Sequence, residues 1–190
     1  PADAVKLASA RVGPAVLGAV VEGDEVFPLP PGLGVRDLVE SGLEHALEVG
    51  AIALRGAGLP LASVSLELPY RPASIRDFVT FESHVEGVRR SIDHGVGVPD
   101  ASYDAPTFHS TTPHALYGPD QPIQRPALSR ALDFELEVGA VLGRGGTSLT
   151  EAEAEAAIFG YTIVNDWSAR DLQARAMQDA LGPAQRRHFA

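Results

Sequence analysis

The 190-residue chain contains no cysteine, which removes disulfides, thiolate metal ligands and a cysteine nucleophile. Lysine is almost as scarce. Lys6 stands alone beside fourteen arginines, so no lysine beyond the N-terminus is available for amine chemistry. No apolar run approaches the ~18 residues that a membrane helix needs, and no basic-then-apolar leader follows Pro1. Positive charge is short as well: 15 basic against 25 acidic side chains leave a formal charge of −10. That field repels phosphate backbones and anionic lipid, so neither a nucleic-acid partner nor a membrane role is expected. The cytoplasm is the expected location.

What is present fits an ordinary globular chain, with 45% hydrophobic and 21% charged residues. A chain of ~150 residues already hides about 70% of its unfolded surface, so the length permits a real core in one large or two small domains. Residues 1–67 read as a small β-rich domain with one helix. Val16 to Val21 and Val26 to Leu29 are short apolar runs, and Glu22-Gly-Asp-Glu25 between them has hairpin composition. Val35, Leu38, Val39, Leu43, Ala46 and Leu47 recur at helical spacing. Pro69-Tyr-Arg-Pro72 marks a boundary, because the residue before each proline favours extended chain.

Residues 68–190 form the second region. Ser74 precedes Ile75, Phe78, Val79, Val85 and Val88, the pattern of a capped segment with one apolar face. Residues 93–127 read as a long irregular loop, and Leu132 to Leu142 alternates as one strand. Thr150-Glu-Ala-Glu153 is a capping box. Ile158 to Val164 reads as a buried strand, and Ser168 as the cap of a last helix reaching about Ala180.

Chemistry concentrates in three places. Along Asp133-Phe-Glu-Leu-Glu-Val138, Asp133, Glu135 and Glu137 share one strand face, with neighbours ~7 Å apart. A solvated acidic face is the plain reading of that segment alone. An inward-turned face needs a positive group to offset repulsion and desolvation. Asp166 follows the second strand and stands beside a helix N-terminus, with Arg170 and Gln173 three apart on one helix face. A structural capping network reads equally well there. If residues 75–90 are helical, Asp77 and His84 fall nearly in line. His84 then becomes a candidate general base, although a lone histidine is more often structural.

Arg76-Asp-Phe78 with His84, Asp133-Phe-Glu-Leu-Glu-Val-Gly139, and Phe159-Gly-Tyr-Thr-Ile-Val-Asn-Asp-Trp-Ser-Ala-Arg-Asp-Leu-Gln173, in that order, resemble the fumarylacetoacetate hydrolase family. The resemblance covers about residues 68–190. It implies an α+β, mostly β fold: a fumarylacetoacetase-like mixed β-roll catalytic domain preceded by the small N-terminal domain. It implies a divalent cation on Glu135, Glu137, Asp166 and Asp77, a water-activating His84, and Arg170 and Gln173 near the substrate oxygens. Oxygen ligands of high negative charge suit hard ions, Mg²⁺ foremost with Ca²⁺ or Mn²⁺ as alternatives. The implied activity is hydrolysis of a carbon–carbon bond in a small 1,3-diketo acid, an acylpyruvate or fumarylacetoacetate-like compound of the kind met in aromatic catabolism, by a homodimer. Hydratases, isomerases and decarboxylases of the same family are the alternative readings.

The match also departs from the family. Val79 replaces an aromatic residue and Met177 a tyrosine of the fumarylacetoacetase type, which points to a different small keto acid. Arg187 stands where a lysine is usual, and it neither gives up its proton readily nor has the lysine's shape. A threonine and a further acidic residue of the family would lie beyond Ala190. The catalytic fold is therefore expected to be incomplete within these residues, and a non-catalytic remnant that keeps the fold and the ion is the competing expectation.

Overall fold

The computed structural model describes residues 5–92 and 95–178. Its first part is a five-stranded sheet with two helices. The strands β1 (Lys6–Val12), β2 (Ala15–Glu22) and β3 (Glu25–Pro28) form successive antiparallel hairpins. The β2–β3 turn pairs Glu22 with Glu25 around Gly23, whose φ of +57° is easily reached only without a side chain. Helices α1 (Val35–Ser41) and α2 (Leu43–Ala53) follow, then β4 (Leu59–Pro60) and β5 (Ser65–Glu67). The sheet order is β4-β3-β2-β1-β5.

The single helix expected over residues 35–49 is two. Gly42, at φ +94°, ends α1 and begins α2, because its left-handed backbone cannot continue the helical hydrogen-bond ladder. Val20, Leu29, Leu38, Ala46, Val49 and Ala53 are buried together between these helices and the sheet, with Phe159 packed against them from much later in the chain.

The second part begins with β6 (Ile75–Phe78), α3 (Glu82–Ile92), α4 (Ala101–Asp104) and β7 (Phe108–Thr111). Strand β6 pairs antiparallel with β7. The expectation of one helical segment over 75–90 is therefore corrected: Asp77 lies on a strand and His84 on the helix after it. Ile75, Phe78 and Val79 have helix-like spacing, but β-branched and aromatic side chains suit a ladder, and β7 supplies the partner. The region 93–127 is correspondingly not all loop, since α4 and β7 lie within it.

Next come β8 (Leu132–Asp133), β9 (Leu136–Leu142), α5 (Glu151–Glu155), β10 (Ile158–Asn165), β11 (Ser168–Ala169) and α6 (Arg170–Gln178). Thr150 caps α5 as its sequence requires, accepting a hydrogen bond from Glu153 N, while the Glu153 carboxylate accepts one from Thr150 N. The strand expected over 132–142 is broken at Phe134–Glu135. Its two parts nevertheless keep one antiparallel register: Asn165 faces Leu136, and Ser168 faces Asp133. Backbone bonds continue that register on both sides, from Asp166 N to Glu135 O (2.9 Å) and from Arg170 N to Ala131 O (2.8 Å). The result is a long two-stranded ribbon from Ala131 to Leu142 and from Ile158 to Arg170.

The ribbon has two unlike faces. Glu135, Glu137 and Gly139 are partly covered, whereas Leu136, Val138 and Ile163 on the other face are each at least 75% exposed. The buried strand expected over 158–164 is thus open to solvent along its apolar side within this chain. Ser168 does not cap α6. The backbone still runs in the ladder at that point, and the buried hydroxyl turns to the acidic face, where it donates to Glu135 Oε1 at 2.8 Å.

Candidate metal centre

Strand alternation builds the site. Successive side chains of a strand point to opposite faces, and residues directly opposite in an antiparallel pair share a face. In the ribbon's register Glu137 faces Val164, and Glu135 faces Asp166 across the interruption. Glu135, Glu137 and Asp166 therefore belong to one face, with Asp166 diagonal to Glu137. Asp77 arrives from β6, outside the ribbon.

Single carboxylate oxygens of Asp77, Glu137 and Asp166 lie within 4.8 Å of one another. All three residues are partly buried, and Asp166 Oδ2 is shut off from solvent. Like charges so close repel strongly, and a hard divalent cation bound by oxygen is the chemistry that suits such a donor set. The residues present therefore fit a metal of that class.

Glu135 is not part of that three-residue group. Its carboxylate, only 14% exposed, accepts hydrogen bonds at Oε1 from Arg170 Nη1 (2.7 Å) and from Ser168 Oγ (2.8 Å). Its backbone N donates to Asn165 Oδ1 at 3.3 Å, so a side chain stands in for a ladder bond where the strand is interrupted. Arg170 is gripped more widely. Its Nε donates to Asp133 Oδ2 (2.9 Å), and its Nη1 also donates to Gln173 Oε1 (3.4 Å). That guanidinium, with a hydrogen bond from Phe134 N, holds the Asp133 carboxyl below the ordinary aspartate range.

His84 is exposed on α3, three residues beyond Phe81, whose carbonyl accepts its backbone N–H at 3.0 Å. Among the described residues no side-chain hydrogen bond joins His84 to the three carboxylates. Arg187 lies outside the described residues.

Two contributors escape the sequence reading. His109 on β7 stands directly opposite Asp77 in the ladder and shares its face. Only the long-range pairing of β6 with β7 brings it there, so no local signal announces it. Asp171 accepts hydrogen bonds from Ser129 Oγ and Arg130 N, both at 2.7 Å, tying the start of α6 to the approach to β8. Those donors, the Arg130 backbone foremost, lower its pKa. Its place directly after Arg170 in the motif was the available signal.

Comparison with known proteins decides the family. The sequence model described as fumarylacetoacetate (FAA) hydrolase C-terminal matches residues 73–190. The chain belongs to the fumarylacetoacetate hydrolase family. A curated relative, an oxaloacetate tautomerase of Bacillus subtilis, is 49% identical over 51 residues, which are 27% of this chain and 17% of that protein.

Among solved structures, a fumarylacetoacetate hydrolase from Exiguobacterium antarcticum superposes with a TM-score of 0.72 at 23% identity, covering 97% of this chain and 62% of that one. This likeness carries the fumarylacetoacetase fold. A maleylpyruvate hydrolase from Sphingobium, solved with manganese(II) and pyruvate, gives a TM-score of 0.62 at 27% identity over 86% of this chain and 59% of that one. The chain thus spans about three fifths of the length of these solved relatives.

Proposed function

We propose that this chain carries the divalent-metal site of an enzyme that cleaves a carbon–carbon bond in a small 1,3-diketo acid, an acylpyruvate being the model substrate. The observation behind the reading is the convergence of Asp77, Glu137 and Asp166 from separate elements to within 4.8 Å. The Sphingobium relative, named a maleylpyruvate hydrolase and solved with manganese and pyruvate, supports it. Mg²⁺ is the proposed native ion, with Mn²⁺ or Ca²⁺ as substitutes of the same ligand preference.

Asp77, Glu137 and Asp166 would hold the ion, and Glu135 would stand beside it while fixing Arg170. When bound, the ion supplies a fixed positive charge for the paired oxygens of the keto acid. Arg170 and Gln173 orient the substrate through its remaining oxygens, a guanidinium being suited to a carboxylate. His84 takes a proton from water at a ring nitrogen as the water oxygen bonds to the carbonyl carbon. The adjacent carbon–carbon bond then breaks, its electron pair passes to the departing enolate, and the proton held by His84 returns to that carbon. His84 is exposed on α3, so its ring is open to water.

A second reading rests on the tautomerase relative, which is 49% identical where it aligns. Enolisation without bond cleavage needs the same acidic site but no attacking water. Incubating the full chain with acylpyruvates and with oxaloacetate, in Mg²⁺ or Mn²⁺, separates the two by product. Release of pyruvate plus a carboxylic acid, abolished in His84→Ala, supports the hydrolase. Keto–enol exchange alone supports the tautomerase, and no metal-dependent turnover of any of these acids rejects both.

A further inference from the structure

The acidic face holds two carboxylates outside the cation group, Glu135 and Asp133, and the proposed function gives Asp133 no role. Asp133 lies two residues before Glu135 and four before Glu137, ~13 Å along the strand from Glu137, and it is outside the group of three converging carboxylates. Its partner is Arg170 Nε at 2.9 Å, while Glu135 and Gln173 both take Nη1 of the same guanidinium. Among the described residues Nη2 donates to none.

Stability does not account for this arrangement. The Asp133 and Arg170 side chains are 47% and 39% exposed, and ion pairs so open to water contribute little. What the pair changes is orientation. An arginine side chain has many rotamers, and one anchor at Nη1 leaves the guanidinium plane free to turn. Two carboxylates gripping different nitrogens fix both the position and the plane. The nitrogen left without a protein acceptor among the described residues is Nη2.

We propose that Asp133 is a positioning residue for Arg170: it fixes the guanidinium plane so that Nη2 is presented to a carboxylate of the ligand. This rests on the proposed function in one respect, that a small oxo-acid anion binds at the acidic centre next to Arg170. It implies that Asp133 never touches the ligand and that its whole effect passes through Arg170.

Oxalate, a dianion with the paired oxygens of an enolised oxo acid and no bond to cleave, is the probe. Mn²⁺ affinity of the full chain is measured first by calorimetric titration, then oxalate affinity of the Mn²⁺-loaded protein. The set is wild type, Asp133→Asn, Arg170→Gln and the double variant. Oxalate affinity should fall about tenfold in each single variant, the size of one lost charge-assisted contact. In the double variant it should fall no further, while Asp133→Asn keeps Mn²⁺ affinity and melting temperature near wild type.

A merely structural Asp133 would lower the melting temperature, or add its effect to that of Arg170→Gln. Either result overturns the proposal, as does unchanged oxalate affinity in Asp133→Asn. If Arg170→Gln alone leaves oxalate affinity intact, the role of Asp133 falls while the metal reading survives. A wild-type chain that binds no Mn²⁺ overturns the metal reading and the role of Asp133 with it.

Discussion

Neutralising one member of the carboxylate group should have opposite effects with and without metal. Oxygens of Asp77, Glu137 and Asp166 lie within 4.8 Å of one another, so three pairs of negative charge repel. At that separation a pair costs ~3.5 kcal/mol for an effective dielectric near 20 and ~1 kcal/mol in bulk water. Because the three residues are only partly buried, the lower half of that range applies. Glu137→Gln removes two of the three repulsions and keeps the side chain's shape. The metal-free variant should therefore be more stable than metal-free wild type by roughly 2–4 kcal/mol. In a chain of this size that raises the melting temperature by ~4 °C or more.

With ion the order reverses. Saturating wild type at one hundred times its dissociation constant adds ~2.7 kcal/mol, and Glu137→Gln should lose nearly all of it. The assay is thermal unfolding in EDTA and in excess Mg²⁺ or Mn²⁺, at fixed ionic strength so that screening is equal. A variant that keeps the full metal-induced shift refutes the cation site. A metal-free variant less stable than wild type by more than ~1 kcal/mol refutes the electrostatic argument instead.

Two further outcomes test other parts of the structure. Asp171 has a lowered folded-state pKa, so its stabilising effect is present above the ordinary aspartate value and is lost as pH falls through the folded value. Asp171→Asn should lower the melting temperature at pH 7, and that gap should close below about pH 4; a gap that persists at low pH would remove the carboxylate from the account. Leu38 is fully buried in the N-terminal core, so Leu38→Ala should cost about 3–4 kcal/mol in urea unfolding. A loss under ~1 kcal/mol would show that this core does not support the described fold.

The ribbon was legible because its signal is local. Alternation through Asp133, Glu135 and Glu137 needs only the two-residue period of a strand, and the observed exposure follows it residue by residue from Phe134 to Ala140. Thr150 and Glu153 announced their own cap, and Gly23 its hairpin, for the same reason. The convergence of Asp77 with the ribbon was not readable from spacing. Asp77 lies on a strand only through pairing with β7 some thirty residues later, and the apolar residues around it fit a helix equally well over so short a window. The second helix of the N-terminal part was hidden too, since apolar periodicity runs through Gly42 without pause while the backbone does not.

The interruption at Phe134–Glu135 has a physical reason of its own. Glu135 and Asp166 stand opposite each other, and like charges directly across a ladder destabilise it. The ribbon tolerates the pair because positive and polar groups converge there: Arg170 and Ser168 on the Glu135 carboxylate, and Asn165 Oδ1 on the Glu135 backbone. Each of these belongs to the 165–170 stretch, which returns along the strand it neutralises. The Asn-Asp-Trp-Ser-Ala-Arg run thus supplies one acidic group and the groups that make its neighbour affordable, which is why the two motifs are informative together and weak apart. Within this arrangement the Glu135 carboxylate holds Arg170 and Ser168, and the carboxylate oxygens that converge are those of Asp77, Glu137 and Asp166.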